Sequence, residues 1–159
     1  MKLPSGDLYL DGIWVSREDK APSFNPFDGT HLADISQAKA SDVEHAIASA
    51  YSSYQVWSKQ SVYQRARVLW EIAERIALKR DYLVNVMILE TGKPLADAMA
   101  EVETSIYNFR WFAQMISSQN DEIIPSHDGR RQIVHHAAIG VVAVISPWNF
   151  PLNLITRKI

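Results

Sequence analysis

Asn149 is the residue best placed to do chemistry in this sequence. It stands in Ser146-Pro147-Trp148-Asn149-Phe150-Pro151, directly after the apolar run Val141-Val142-Ala143-Val144-Ile145. A side-chain amide can donate a hydrogen bond to the oxyanion of a tetrahedral intermediate in acyl transfer. One such donor is typically worth about 3–4 kcal/mol of transition-state stabilisation. The competing use of a turn asparagine is to hydrogen-bond its own backbone. Location favours chemistry. The apolar run reads as a strand buried on both faces of a parallel sheet. Pro147 cannot extend a ladder, and Pro151 suits the first turn of a helix, where a missing N–H costs nothing. The spacing therefore predicts a strand, a stiff turn and a helix start, with Trp148 and Asn149 at the strand's carboxyl end. In open α/β sheets that edge is where ligands bind.

Two basic residues follow. Arg157 lies eight residues beyond Asn149, about two helical turns, which could bring both to one pocket. A guanidinium is suited to a bidentate grip on a carboxylate. For Arg157 and Lys158 alike, an exposed basic helix face is the competing reading. Other constellations offer less. Glu101 and Glu103 are two apart on a helix and do not face each other, so no carboxylate pair for acid–base work is expected. His135 and His136 are adjacent in a strand, point to opposite faces and cannot chelate one metal. The sequence has no cysteine, hence no disulfide framework and no thiolate metal site. Its six glycines are scattered, and no Gly-x-Gly-x-x-Gly dinucleotide fingerprint occurs.

A chain of 159 residues is enough for one domain with a sizeable core. The net charge of -2 and the absence of basic runs give no reason to expect nucleic acid or an anionic membrane as partner. The amino terminus lacks an apolar signal region, and the longest apolar stretch, Ala137 to Ile145, is too short to span a bilayer. The expected setting is the cytoplasm.

The elements that must position the site read in order. Leu8-Tyr9-Leu10 and Ile13-Trp14-Val15 flank Asp11-Gly12, a two-residue hairpin signal. Phe24 to Gly29 is turn chemistry, and Thr30 to Ser36 a short strand. Ser41 and Glu44 read as a capping box opening a helix whose buried stripe is Val43, Ile47, Ala50, Tyr54 and Trp57. A second helix after Ser61 buries Val62, Ala66, Leu69, Ala73 and Ile76, and a third covers about Tyr82 to Glu90. Gly92 and Pro94 punctuate before a fourth, with Leu95, Met99, Val102, Ile106, Phe109, Ala113 and Ile116 at core spacing. These four helices are expected to pack together and against a sheet. Glu122-Ile123-Ile124 and Arg130 to Ala138 look like a protruding hairpin around the turn Pro125-Ser126-His127-Asp128-Gly129. Alone such a hairpin is marginal, so it needs another edge.

Ser146-Pro147-Trp148-Asn149-Phe150-Pro151 after a Val/Ile strand resembles the signature of the NAD(P)-dependent aldehyde dehydrogenases. Leu152 to Lys158 also fits and is similar to the succinate-semialdehyde and lactaldehyde branch. Glu90-Thr91-Gly92-Lys93-Pro94 is a second family-typical segment, and Phe24-Asn25-Pro26 with Asp28-Gly29 a weaker third. Three matches in the family's order make chance remote. The resemblance implies a mixed α/β fold: the amino-terminal part of the aldehyde dehydrogenase architecture, with helices packed on a partial Rossmann-like parallel sheet and a β-hairpin oligomerisation arm. Its divisions would be residues 1–117, the amino-terminal part of the cofactor-binding domain; 118–138, the arm; and 139–159, the first strand and helix start of the nucleotide sheet.

The resemblance further implies NAD or NADP lined by Ile145, Ser146, Pro147, Trp148 and Asn149. Asn149 would be the oxyanion donor, Lys158 a proton-relay or cofactor-side lysine, and Arg157 the substrate-carboxylate ligand. The family attacks its aldehyde with a cysteine thiolate, and no cysteine is present. The chain is thus expected to be an amino-terminal portion, inactive alone, of an enzyme that is a homo-oligomer when intact. A rival expectation is a non-catalytic interaction module acting through the Glu122–Ala138 arm.

Overall fold

The turn Asp11-Gly12 takes positive φ at both residues, 49° and 83°, the geometry that lets a two-residue loop join two right-twisted strands. In a computed structural model describing residues 3–125 and 127–159, it joins β1 (Leu8–Leu10) to β2 (Ile13–Val15), with Leu8 opposite Val15. A second antiparallel pair follows, β3 (Lys20–Phe24) with β4 (His31–Ser36). Strand β3 is not evident from sequence, because Lys-Ala-Pro-Ser-Phe shows no alternation and contains a proline. In a two-stranded sheet every strand is an edge, where a missing N–H is tolerated. Between β3 and β4, buried Asn25 shapes the turn: its Oδ1 accepts from Phe27 N at 3.0 Å and its carbonyl accepts from Gly29 N at 2.8 Å.

Four helices occupy the anticipated places: α1 (Ala40–Trp57), α2 (Val62–Leu78), α3 (Arg80–Thr91) and α4 (Leu95–Met115). The start of α1 departs from the Ser41/Glu44 box. Its carboxylate is that of Asp42, which accepts from Lys39 N at 2.9 Å and is clasped by Arg17, whose Nε lies 3.1 Å away. Arg17 is 25 residues distant in sequence, and no local pattern announces it. A reciprocal box does open α2: Ser61 Oγ accepts from Gln64 N and Gln64 Oε1 accepts from Ser61 N. Gly92 closes α3 at φ 70°, and a Cβ there would sit 3.0 Å from Pro26 Cγ. The second and third family-typical segments therefore touch.

Helices α2, α3 and α4 enclose the core, built from Ala73, Val84, Met87, Ala98, Val102, Ile106 and Phe109. The stripe on α4 is buried from Val102 to Ala113, while Leu95 and Met99 are exposed. The stripe expected on α1 is covered only in part, with Ala50 and Tyr54 half-buried. Val43 and Ile47 are each more than half exposed and Trp57 is 42% exposed. A helical period shows that a face is apolar but not that anything covers it. Instead α1 rests on the first hairpin, where Ser49 Oγ donates to Asp11 Oδ1 at 2.7 Å.

Beyond α4 the character changes. β5 (Glu122–Ile124) and β6 (Gln132–Val134) pair antiparallel with Ile123 opposite Ile133, and all six residues are exposed. The turn expected at Pro125 to Gly129 includes Ser126, which lies outside the described residues. At the base of the arm Asp121 pairs with His135 Nδ1 at 2.6 Å and accepts from His136 N at 3.1 Å. The His135 bond holds the Asp121 carboxyl below its ordinary range. Residues 141–145, expected to be a strand buried on both faces, join no ladder and are all exposed. All three sheets among the described residues are two-stranded and antiparallel. A buried parallel strand needs a ladder neighbour on each side and a layer over each face, and here it has neither. The mixed α/β class stands; its parallel sheet is not assembled within these residues.

Candidate active site

The turn after residue 145 leads into α5 (Pro151–Thr156), a short helix with Pro151 in its first turn. Phe150 precedes it and supplies no side-chain cap, so the first amides of α5 need an outside acceptor. That acceptor is Glu101. One carboxylate oxygen, Oε1, accepts from Leu152 N at 3.0 Å and from Asn153 N at 3.1 Å. The other, Oε2, accepts from Lys93 Nζ. The Glu101 side chain is wholly buried and that of Lys93 nearly so, at 11%. Lys93 Nζ also donates to the carbonyl of Asn149 at 3.1 Å and lies 4.8 Å from the centre of the Phe150 ring. Farther along α5, Asn108 of α4 donates to Asn153 Oδ1 at 2.9 Å and Thr156 Oγ1 at 3.2 Å. Leu152 packs on the helical core. The turn and α5 are thus moored to α4 along their length.

The moorings on Asn149 are to its main chain. Its side chain is exposed, and among the described residues its amide makes no hydrogen bond. The turn is already held by Lys93 and Glu101, which leaves that donor available. The Asn149 hollow is lined by Lys93, Asp97, Glu101, Thr104, Phe150 and Asn153, and Arg157 is not among its walls. Arg157 lies at the far end of α5, whose six residues span about 9 Å. The pocket shared by Asn149 and Arg157 is not formed among these residues.

Trp148 is 81% exposed and lines a second hollow of about 450 Å³ with Pro26, Thr91 and Pro151. All three family-typical segments therefore meet around it. Ile145 is 87% exposed, and its carbonyl accepts from Lys158 Nζ at 2.8 Å. Lys158 is thereby folded back onto the apolar run. Among the described residues Ser146 Oγ is buried without a partner, an orphaned group of the kind that calls for a ligand or further chain. Pro147 separates it from Trp148.

The role of Glu101 is not evident from its spacing to Glu103. The two do point apart: Glu103 pairs with Arg80 on the surface at 2.8 Å. Its better signal is its place beside Val102 on the buried stripe. A charge there requires a partner, and Lys93 lies eight residues back.

The aldehyde dehydrogenase family profile matches residues 14–159, and the chain belongs to that family. It is 34% identical over 155 residues to 3-sulfolactaldehyde dehydrogenase of Pseudomonas putida, covering 95% of this chain and 32% of that protein. It is 33% identical over 151 residues to succinate semialdehyde dehydrogenase of Acinetobacter baylyi, covering 93% and 31%. Among solved structures, an NADP-dependent enzyme of E. coli superposes with a TM-score of 0.91 at 31% identity, over 97% of this chain and 33% of that one. The chain spans about a third of the length of the relatives it matches.

Proposed function

We propose that this chain is the amino-terminal part of an NAD(P)-dependent aldehyde dehydrogenase in which Asn149 is the oxyanion donor. The intact enzyme would oxidise an aldehyde, in this reading a short semialdehyde or a similar aldehyde bearing an acid group, to its carboxylic acid. The route would be a thioester on a cysteine outside these residues. The observation that carries the reading is the free amide of Asn149, presented by a turn whose main chain is tied down. A donor fixed before reaction costs no reorganisation when charge develops on the substrate oxygen. Relatives acting on 3-sulfolactaldehyde and succinate semialdehyde support the substrate class. Arg157, exposed and without a side-chain hydrogen bond among the described residues, is the proposed carboxylate ligand.

The residues around Trp148 fit a dinucleotide. Exposed Ile145 and Trp148 offer apolar surface, and Ser146 Oγ is a buried polar group with no partner among the described residues. With Pro147 and the backbone at Asn149 they would line the cofactor's side of the cleft, and Lys158 would sit at its edge. When bound, NAD or NADP supplies the hydride acceptor. Without a cysteine, this chain alone has no thiolate to offer and is proposed to be inactive. The hairpin, with Ile123 and Ile133 exposed, is the proposed oligomerisation arm. The same exposed isoleucines favour one second reading, a non-catalytic module that binds a partner through this arm. No helix among the described residues is long and apolar enough to cross a membrane, and the proposed setting is the cytoplasm.

Asn149→Ala in the intact enzyme tests the proposal. Removal of one oxyanion donor is expected to lower kcat about 100- to 1,000-fold. Retention of most of the wild-type kcat would overturn it.

A further inference from the structure

We infer that Lys93 and Glu101 are positioning residues that act on the reaction through Asn149. The inference rests on the oxyanion role proposed for that residue. Its ground is where the hydrogen bonds of a buried ion pair go. Taking a carboxylate and an ammonium out of water is costly, and a well-packed apolar pair of similar volume is often no less stable. Stability of the α2–α3–α4 core therefore gives no reason for this pair. Its bonds supply one. Glu101 Oε1 goes to Leu152 N and Asn153 N, Glu101 Oε2 to Lys93, and Lys93 Nζ onward to the carbonyl of Asn149. Among the described residues, every hydrogen-bond partner of the two side chains outside the pair lies within residues 149–153, and Lys93 also overlies the Phe150 ring.

The chain of contacts runs from a rigid element to a reactive one. Glu101 sits in the second turn of α4, between buried Ala98 and Ser105, on a face anchored in the core. Lys93 follows Gly92, whose positive φ ends α3 and turns the chain toward α4. The carboxylate fixes the first turn of α5, and the ammonium fixes the peptide carbonyl of Asn149. Together they set the direction in which the Asn149 Cβ leaves the backbone while leaving its amide unengaged. Asn149 itself is exposed, and its side chain makes no hydrogen bond among the described residues. Without the pair, the donor would be free to swing away from the developing charge.

The experiment is a double-mutant cycle on kcat in the intact enzyme, pairing Lys93→Met with Asn149→Ala. Lys93→Met is expected to lower kcat about 10- to 100-fold, the scale of a misplacement near 1 Å. KM for the cofactor should change less than kcat does. In the Asn149→Ala background the same substitution should cost less than about 3-fold, because a residue acting through another loses its effect once that residue is gone. Equal losses in both backgrounds, or no loss from Lys93→Met, would overturn the inference. No loss from Asn149→Ala would instead overturn the oxyanion reading and with it the basis for positioning. Lys93→Met leaves the Glu101 charge buried and unpaired, so Lys93→Met/Glu101→Gln is the companion variant. It removes both charges, keeps an acceptor for α5, and is expected to show the same kcat loss and the same dependence on Asn149.

Discussion

Helices α1 and α4 are similar in length, 18 and 21 residues, and each carries an apolar stripe at helical spacing. Their fates differ. On α4, Val102, Ile106 and Phe109 are at most 3% exposed, whereas on α1 Val43 and Ile47 exceed 50%. The α4 stripe meets α2 and α3 in a shared core. Two polar contacts tie α1 down: Arg17 on Asp42 at one end and Ser49 on Asp11 in the middle. Amphipathicity records a demand for burial, and only the surrounding chain decides whether it is met.

The contrast can be tested in order of expected size. Phe109→Ala should open a cavity between α2, α3 and α4 and destabilise the fold by about 3–5 kcal/mol. A urea unfolding free energy lowered by less than a third of that would mean the α4 core is looser than its burial shows. A smaller effect attaches to the polar latch on α1. The Arg17 guanidinium bonded to Asp42 holds that carboxyl down to about 2, below the unfolded value of about 3.9. A depressed folded-state value means the contribution is complete above the unfolded value and is lost as pH falls toward about 2. Stability measured from pH 5 downward should therefore fall through that window. In Asp42→Asn the decline should be shallower, and parallel curves for the two proteins would place the acid sensitivity elsewhere. Smallest of all, Ile47→Ala on α1 removes side-chain atoms that already face solvent and should change stability by less than about 0.5 kcal/mol. A loss near 2 kcal/mol would show that α1 does bury its stripe in solution.

The same distinction runs through the site. Motif chemistry placed Trp148 and Asn149 on a turn before a proline-started helix, and the turn and α5 are there. The apolar run leading to them demands burial as plainly as α4 does, yet residues 141–145 stand exposed outside any ladder. A strand's partners are remote in sequence by nature, and its own residues do not say where they lie.

What the sequence by itself determined is local. The Asp11-Gly12 hairpin, the four helices between residues 40 and 115, the glycine end of α3 and the proline start of α5 all follow from torsional preferences and periods acting within a few residues. The motifs carried the family as well. Tertiary structure alone decided which stripe is covered, and that Arg17 clasps the Asp42 carboxylate that caps α1. It also decided that a carboxylate on α4 and a lysine after α3 hold the Asn149 turn. Those contacts join residues 25 to 56 positions apart, apart from the Lys93–Glu101 link itself. A charge's partner at such a range is set by how the helices pack, and packing is a property of the whole fold rather than of any stretch of it.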